Sequence, residues 1–235
     1  MSMIRKIALD TETTGLDINQ GHRIISIGCV EIINGMKTGS TIHLMLNPGR
    51  PSDPGAIAVH GIKDEFLLNK PKFEEVAHDF LSFIGDDILI IHNAQFDLKF
   101  LRNELKISGI IGLEKNHIID TLLLSRERYP GSPASLDALC KKFNIDNSER
   151  TLHGALIDAE LLASVYIAMV GTVQSEIDIK ESSNNTIDTH LYLKKIIYDI
   201  NNRFFNISQE DLKKHQESVN KIENSMWKKI LPFLY

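Results

Sequence analysis

The N-terminus places two carboxylates directly after a strand-length apolar run, and this combination constrains the fold more than any other feature of the sequence. The run covers residues 4–9 and leads into Asp10 and Glu12. Side chains two residues apart leave a strand on the same face. Two carboxylates on one face of a buried strand repel each other and lose hydration, so they bind protons or cations. An acidic pair on a solvated edge strand is the alternative, but the apolar residues before Asp10 favour a buried strand and a metal site.

Hydrophobic patterns in residues 1–170 predict an α/β fold in which helices flank a mixed central β-sheet. Short apolar runs rich in β-branched residues predict strands, and apolar residues at helical spacing predict helices. Strands come first and then alternate with helices, which is typical of a mixed sheet with helices packed on it. The predicted strands are residues 4–9, 24–33, 41–46 and 88–91, and the predicted helices are residues 73–84, 94–105, 135–143 and 154–169.

A third carboxylate, Asp97, follows the strand predicted at 88–91. Asn93 lies between that strand and the next helix, a position that suits an N-cap residue. Asp97 then falls in the first helical turn, near the carboxyl ends of the strands, where α/β sheets bind their ligands. An aspartate in a first turn is also a common partner of the helix dipole, so the residues alone leave both roles open.

His153 and Asp158 form the last candidate pair. Their spacing of five residues would point the side chains about 140° apart on a continuous helix. They converge only if His153 lies on the loop before the helix and Asp158 lies one turn inside it, and Gly154 supports that placement. A histidine on a loop is often only solvated, but beside a carboxylate in an apolar neighbourhood it is predicted to act as a general base.

Taken in order, these residues resemble the histidine-bearing branch of the DEDD exonuclease superfamily, which has a ribonuclease H-like fold. The resemblance covers residues 3–170 and is closer still to the epsilon family, the proofreading subunits of bacterial DNA polymerase III. The matching motifs are Leu-Asp-Thr-Glu-Thr-Thr-Gly-Leu at 9–16, Val-His-Gly-Ile at 59–62, Ile-His-Asn-Ala at 91–94 with Phe-Asp at 96–97, Ser-Leu-Asp-Ala-Leu-Cys at 135–140, Ile-Asp-Asn-Ser at 145–148 and Arg-Thr-Leu-His-Gly-Ala-Leu at 150–156.

The resemblance implies two divalent cations, Mg²⁺ or Mn²⁺, and a role for each of the five residues. Asp10 would bridge both cations, Glu12 and Asp158 would hold the cation that activates water, and Asp97 would help to hold the other. His153 would take the proton from that water. The implied activity is that of a 3′→5′ exodeoxyribonuclease, which removes mispaired 3′ ends from DNA as 5′-mononucleotides.

The resemblance also implies contacts to the terminal nucleotide. They would come from the metal ligands and the loops around them, and the expected residues are Asp10, Glu12, Thr13, Thr14, Leu16, Gly55, His60, Asn93 and Asp158. The family often has an acidic residue where this chain has Gly55. Only a backbone contact to the nucleotide is therefore expected at that position.

The net charge of −5 over 235 residues argues against a protein that binds duplex DNA through its phosphates. An enzyme that holds a few terminal nucleotides through metal ions does not need a basic surface, so a second protein is expected to hold the DNA. No apolar stretch reaches the roughly 18 residues of a membrane span, and no signal peptide is recognised. Cys29 and Cys140 lie in apolar contexts and suggest no disulfide. We therefore expect a cytoplasmic protein.

The sequence changes character after residue 170. Residues 176–190 are polar without a helical pattern, which predicts a flexible linker at 171–190 between an exonuclease domain at 1–170 and a helical segment at 191–235. That last segment has eight Lys/Arg against five Asp/Glu, whereas residues 1–170 have seventeen against twenty-two. The resemblance implies that it docks on the catalytic (alpha) subunit of the polymerase. Helices that pack back on the main domain are the alternative.

Two further partners follow from the resemblance. The predicted linker contains Gln-Ser-Glu-Ile-Asp-Ile, from Gln174 to Ile179, which is similar to the extended peptide that docks on the sliding clamp. Tethering would make such a weak contact effective. A small accessory subunit bound to the exonuclease domain is also left open.

Two other functions fit parts of the sequence. An exonuclease of the same superfamily that trims RNA would use the same catalytic residues, although small RNA trimmers of this fold generally lack an extension after residue 170. A non-catalytic adaptor between clamp and polymerase is the second alternative. It would have no need of buried carboxylates.

Overall fold

The structure, a computed structural model, describes residues 4–148, 150 and 152–180, with the backbone alone for residues 172–180. Its centre is a five-stranded mixed sheet in the order β3-β2-β1-β4-β5, in which β2 and β3 run antiparallel to their neighbours and β1, β4 and β5 are parallel. The predicted α/β fold class is confirmed. The strands are β1 (Arg5–Thr13), β2 (Ile24–Ile33), β3 (Met36–Met45), β4 (Ile88–Ile91) and β5 (Ile118–Asp120).

Helices cover both faces of this sheet. The helices among the described residues are α1 (Pro54–His60), α2 (Asp64–Leu67), α3 (Phe73–Ile84), α4 (Ala94–Ile107), α5 (Thr121–Arg128), α6 (Leu136–Lys142) and α7 (Ala155–Lys180). The four helices and four strands predicted from the sequence are all present. The elements α1, α2, α5 and β5 were not predicted, because each is too short or too polar to show a clear hydrophobic period.

The side chains of β1 alternate between two hydrophobic cores, one on each face of the sheet. Ile7 and Leu9 pack on the side of α3 and α4, together with Phe80 and Leu101. Ala8 packs on the opposite side with residues of α6 and α7. All three β1 side chains are fully buried, which confirms that this strand is central and not a solvated edge.

The strand β1 is longer than predicted and continues through Asp10 to Thr13. The alternation of the strand therefore carries into the acidic segment, so that Asp10 and Glu12 share the face of Ala8 and α7. Thr11 points to the other face, towards α4. The strand β3 also begins earlier than predicted, at Met36, because a turn at Asn34-Gly35 with positive φ at both residues joins β2 to β3 as a tight hairpin.

Helix α7 begins directly above the sheet at Gly28 on β2. A Cβ atom added to Gly28 would lie 2.2 Å from the carbonyl oxygen of Ala155, the first residue of α7. In the register of the sheet Gly28 is the partner of Asp10. The missing side chain at Gly28 thus lets the N-terminus of α7 lie beside the acidic end of β1.

Helix α7 extends further than the sequence predicted. Its backbone continues to Lys180 instead of ending at residue 169, because the segment contains no proline to stop the helix. The backbone of the peptide from Gln174 to Ile179 therefore belongs to α7. The predicted linker at 171–190 lies partly outside the described residues, so the division of the chain at residues 170 and 190 stays a prediction. The segment at 191–235 lies outside the described residues, so its helical, docking character stays a prediction. Within the described ranges, every helix is too short or too polar to span a bilayer.

Substitution of Gly28 tests the close contact between α7 and the sheet. We expect Gly28→Ala to lower the free energy of unfolding by about 1–3 kcal/mol, the usual cost of overpacking, because backbone and not a flexible side chain must move. Urea unfolding followed by circular dichroism measures the change.

The matched control is Gly171→Ala, which adds a methyl group where no described atom lies within 4 Å apart from the backbone of its own helix. In a helix this change is expected to be neutral or to stabilise by up to about 1 kcal/mol. A Gly28→Ala protein with the unfolding midpoint of the wild type would contradict the packing described for α7.

Candidate active site

The five residues predicted as catalytic line one pocket of about 300 Å³ at the carboxyl ends of β1 and β4. Asp10 and Glu12 come from β1, Asp97 from the first turn of α4 and Asp158 from the first turn of α7. His153 lies on the loop before α7, as its spacing from Asp158 predicted. The structure therefore brings together side chains that lie up to 148 positions apart in the sequence.

Strand β1 also fixes the position of Asp97. The backbone N–H of Thr11 donates to Asp97 Oδ1 at 3.1 Å, and the Thr11 hydroxyl donates to the same oxygen at 2.7 Å. Asp97 is 3% exposed. Because both hydrogen bonds fall on Oδ1, they orient the carboxylate of Asp97, which lines the pocket.

Asn93 does not cap α4 with its side chain, contrary to the prediction. Its backbone is left-handed, with φ 65°, and its side chain makes no capping hydrogen bond. The carboxylate of Asp120 takes this role, accepting from the N–H of Ala94 at 3.0 Å and from the N–H of Asn93 at 3.2 Å. Asn93 itself lines the pocket, so its side chain is available to a ligand.

The loop that carries His153 is held from two sides. Its backbone N–H donates to the carbonyl of Val59 in α1 at 3.1 Å, and its Nδ1 lies 3.1 Å from Asp158 Oδ2. The Asp158 backbone N–H donates to the carbonyl of Gly154 at 2.8 Å, which starts the helix. The imidazole is about half exposed and so remains accessible from the pocket.

Arg150 is the residue of the pocket that the sequence motifs did not single out. Its guanidinium forms a two-pronged ion pair with Asp158, with Nε 2.5 Å from Oδ1 and Nη2 2.7 Å from Oδ2. It also contacts Asp137 Oδ1 on α6 at 2.6 Å. The only signal in the sequence was its place in the motif at 150–156, where spacing alone gives no reason to assign it a contact.

The acidic cluster is electrostatically unfavourable when all its members are ionised. Burial, together with the charges of Asp97 and Asp158, holds the pKa of Asp10 well above its usual range. Burial and the charges of Asp158 and Asp97 raise the pKa of Glu12 to about 8. Burial raises the pKa of Asp97 to about 7, despite its hydrogen bonds from Thr11. The cluster therefore holds protons near neutral pH unless cations replace them.

The donor atoms of the cluster fit a hard divalent cation. One ligand atom each from Glu12, His153 and Asp158 lie within 4.8 Å of one another in the described part of the chain. Carboxylate oxygens are the preferred ligands of Mg²⁺ and Mn²⁺, and an imidazole is compatible with Mn²⁺. His153 is thus within ligand distance as well as being the predicted base, and a cation here would relieve the repulsion that raises the pKa values.

A second, more apolar pocket of about 590 Å³ adjoins the first and shares Thr11, Glu12 and Phe96 with it. Besides Glu12, four of the residues expected to contact a nucleotide line this second pocket. They are Thr13, Leu16, Gly55 and His60. The Leu16 side chain is 81% exposed, which leaves an apolar surface free at the rim of this pocket.

Thr14 does not join this group. It is fully buried, and its hydroxyl accepts from the backbone N–H of Arg23 at 3.0 Å and lies 3.1 Å from His22 Nδ1. The Thr14 hydroxyl is therefore engaged within the fold, and its expected contact with a nucleotide stays a prediction. The residue instead ties the loop after β1 to the start of β2.

His60 lines the second pocket and has one unsatisfied buried polar atom. Its Nδ1 accepts from the backbone N–H of Ile62 at 3.0 Å, so the neutral ring carries its hydrogen on Nε2. Burial lowers the pKa of His60 and favours this neutral form. Nε2 is buried and has no partner among the described residues, although the side chain lines the pocket. Such a donor indicates a ligand.

Comparison with known proteins agrees with this geometry. The sequence profile described as "Exonuclease" matches residues 7–166. The DNA polymerase III subunit epsilon of Rickettsia typhi is 49% identical over 228 residues, covering 94% of this chain and 98% of the relative. The same subunit of Salmonella typhimurium is 41% identical, covering 94% and 95%. The chain belongs to the exonuclease family and, within it, to the epsilon subunits of DNA polymerase III.

Solved structures show the same fold. Exonuclease X in complex with 5′ overhanging duplex DNA is 28% identical, with a TM-score of 0.56 over 72% of this chain and 92% of that one. The zinc-bound E. coli ExoI–ssDNA complex is 19% identical, with a TM-score of 0.63 over 74% of this chain and 42% of that one. The second likeness supports the fold of the exonuclease family alone.

The raised pKa values predict how stability depends on pH. Between about pH 5 and pH 8 the metal-free protein should lose stability as pH rises, because the folded state keeps protons on Glu12 and Asp97 that the unfolded chain releases near pH 4. Mn²⁺ should oppose this loss, since it replaces those protons. Melting temperatures at pH 5, 6, 7 and 8, in EDTA and in Mn²⁺, measure both trends.

Glu12→Gln provides the control, because a neutral amide resembles the protonated carboxyl. Its metal-free melting temperature should fall less steeply with pH than that of the wild type. If the metal-free wild type instead gains stability from pH 5 to pH 8, the electrostatic description of the cluster is wrong.

Proposed function

We propose that the protein is the proofreading 3′→5′ exodeoxyribonuclease of a bacterial DNA polymerase III. It removes mispaired 3′-terminal nucleotides from DNA as 5′-mononucleotides. One observation carries the proposal: four carboxylates and a histidine converge on a pocket that opens onto a second pocket with an unsatisfied buried donor. The relatives named as epsilon subunits support the polymerase context.

Two divalent cations, Mg²⁺ or Mn²⁺, would be held by the carboxylates of Asp10, Glu12, Asp97 and Asp158. Such ions activate water and neutralise charge on the phosphate. The chain supplies the arrangement that this chemistry needs. Strand β1 presents two carboxylates on one face, and Thr11 fixes a third from the other face.

His153 acts as the general base in this proposal. It is exposed to the pocket, and its Nδ1 is within hydrogen-bonding distance of Asp158. A carboxylate at that nitrogen orients the ring and stabilises the imidazolium that forms when Nε2 takes a proton. The hydrogen bond from the His153 backbone to Val59 links this loop to α1, which forms a wall of the second pocket.

The second pocket receives the terminal nucleotide. Leu16 and Phe96 offer apolar surface to a base or sugar, and His60 Nε2 offers a hydrogen-bond donor. Gly55 has no side chain to contribute, so contact there is limited to backbone. A mispaired end reaches this pocket more often than a paired one because unpairing it costs less free energy.

The partners of this chain are part of the proposal. The segment at 191–235 would dock on the alpha subunit, and a small accessory subunit would bind the exonuclease domain. The peptide from Gln174 to Ile179 would bind the sliding clamp. Because its backbone belongs to α7, extended binding would require the last turns of that helix to unwind. The protein would then act with the replisome in the cytoplasm.

The nuclease site is tested with Asp10→Ala in a cleavage assay. Full-length protein is incubated with Mg²⁺ and end-labelled single-stranded DNA or RNA, with and without EDTA. We expect the wild type to release mononucleotides from DNA, and we expect EDTA or Asp10→Ala to reduce the rate by at least about 10³-fold, because the cation that bridges the site is lost.

Asp79→Ala is the control, because Asp79 is an exposed aspartate on α3 away from the pocket. It should keep the wild-type rate. A preference for RNA would support the RNA-trimming alternative, and the absence of cleavage would support the adaptor. Full activity of Asp10→Ala would refute the assignment of the site.

The nucleotide pocket is tested with His60→Ala. Loss of one hydrogen bond from Nε2 should raise KM for a single-stranded oligonucleotide by about threefold to tenfold, which corresponds to roughly 0.5–1.5 kcal/mol. The reduction of kcat should be smaller. His78→Ala changes an exposed histidine on α3 and should leave both constants unchanged. An unchanged KM in His60→Ala would show that His60 does not contact the nucleotide.

A further inference from the structure

Arg150 contacts two of the three described residues that could together hold a metal ion, Asp158 and His153. Its Nε and Nη2 donate to the two oxygens of Asp158 at 2.5 and 2.7 Å. The side chains of both residues are almost fully buried, at 6% and 3% exposure. A bidentate guanidinium–carboxylate pair is among the strongest charge-assisted contacts available to a carboxylate. Because both oxygens of Asp158 are engaged, an incoming cation competes with this guanidinium.

The same guanidinium also determines the state of His153. Its Nη2 lies 2.7 Å from His153 Nδ1. An arginine can only donate hydrogen bonds, so Nδ1 accepts and the neutral ring carries its hydrogen on Nε2. Neither ring nitrogen then has a free lone pair that could take a proton from water. His153 is therefore not ready to act as a base while Arg150 holds this position.

Arg150 makes a third contact, to a carboxylate other than Asp158. Its Nη1 donates to Asp137 Oδ1 at 2.6 Å, and the side chain of Asp137 is 56% exposed. This contact does not involve Asp158. Nη1 can keep Asp137 as its partner while Nε and Nη2 turn away from Asp158 into the pocket, which Asp137 also lines.

We propose that Arg150 is a positioning residue that exchanges with a divalent cation at Asp158. In the arrangement described, it neutralises Asp158 and donates to His153 Nδ1. When a cation binds, the guanidinium stays on Asp137 and releases both groups. His153 Nδ1, which lies 3.1 Å from Asp158 Oδ2, then donates to that oxygen, and Nε2 becomes free to accept a proton.

Binding of the cation at Asp158 and release of His153 Nδ1 by Arg150 therefore occur together. This inference rests on the proposed function in one respect, namely that a divalent cation binds at Asp158. It does not depend on the identity of the nucleic acid.

The test measures Mn²⁺ binding to the full-length protein by isothermal titration calorimetry, for the wild type and for Arg150→Gln. Removal of the competing charge should tighten Mn²⁺ binding on the order of tenfold, within the usual range for coupled binding events. The metal-free variant should melt several degrees lower, because Asp158 keeps a buried charge without its partner. The rise in melting temperature on adding Mn²⁺ should accordingly be larger than in the wild type.

Arg126→Gln is the matched control. Arg126 is exposed on α5, and its charge reaches His92 in the same pocket. The Arg126→Gln variant removes one positive charge near the pocket without removing a contact to Asp158. Its Mn²⁺ affinity should therefore stay within roughly twofold of the wild type. A tightening equal to that of Arg150→Gln would overturn the exchange and indicate a general field effect.

The remaining outcomes are also decisive. Unchanged or weaker Mn²⁺ binding by a natively folded Arg150→Gln protein would overturn the inference and leave the proposed function intact. No Mn²⁺ binding by the wild type would overturn the proposed function itself. If Arg150→Gln does not fold, nitrogen NMR of the wild type is used instead to identify which ring nitrogen of His153 carries the hydrogen. Addition of Mg²⁺ should move the hydrogen of His153 from Nε2 to Nδ1, and an unchanged tautomer would overturn the exchange.

Discussion

The repulsion among buried carboxylates at the end of β1 is the interaction on which the rest of the structure depends. Asp10 and Glu12 share one face of a central strand, and Asp158 approaches that face from α7. Their burial raises the pKa values of Asp10 and Glu12, which shows that the folded chain holds these groups together at a cost. A protein that maintains such a cluster gains nothing in stability from it. We propose that the cluster is maintained because it binds divalent cations.

The surrounding structure makes this unfavourable arrangement possible. Thr11 uses the opposite face of β1 to orient Asp97, and Gly28 leaves room for the start of α7 above the sheet. Asp120 caps α4 and so fixes the turn that presents Asp97. Arg150 supplies positive charge to the cluster through its ion pair with Asp158. These residues therefore support the site through hydrogen bonds, charge and close packing.

The sequence predicted the parts of the site that depend on short-range pattern. The alternation of β1 placed Asp10 and Glu12 on one face, and the spacing of His153 and Asp158 required the loop that the structure shows. Contacts between distant segments could not be predicted in this way. Asn93 occupies the N-cap position, but a carboxylate from β5 makes the capping hydrogen bonds. Thr14 is drawn into the packing around β2, and the partners of Arg150 are fixed only by tertiary structure. The continuation of α7 to Lys180 could not be predicted either, because the residues after 170 are polar and show no helical period.

Anomalous diffraction from crystals grown with Mn²⁺ tests the central claim most directly. The account predicts anomalous peaks within ligand distance of the carboxylates, one at Glu12 and Asp158 and one at Asp97, with Asp10 shared between them. It also predicts that the guanidinium of Arg150 no longer contacts Asp158. Crystals that bind Mn²⁺ elsewhere, or that show an empty carboxylate cluster with Arg150 still on Asp158 at saturating Mn²⁺, would contradict it.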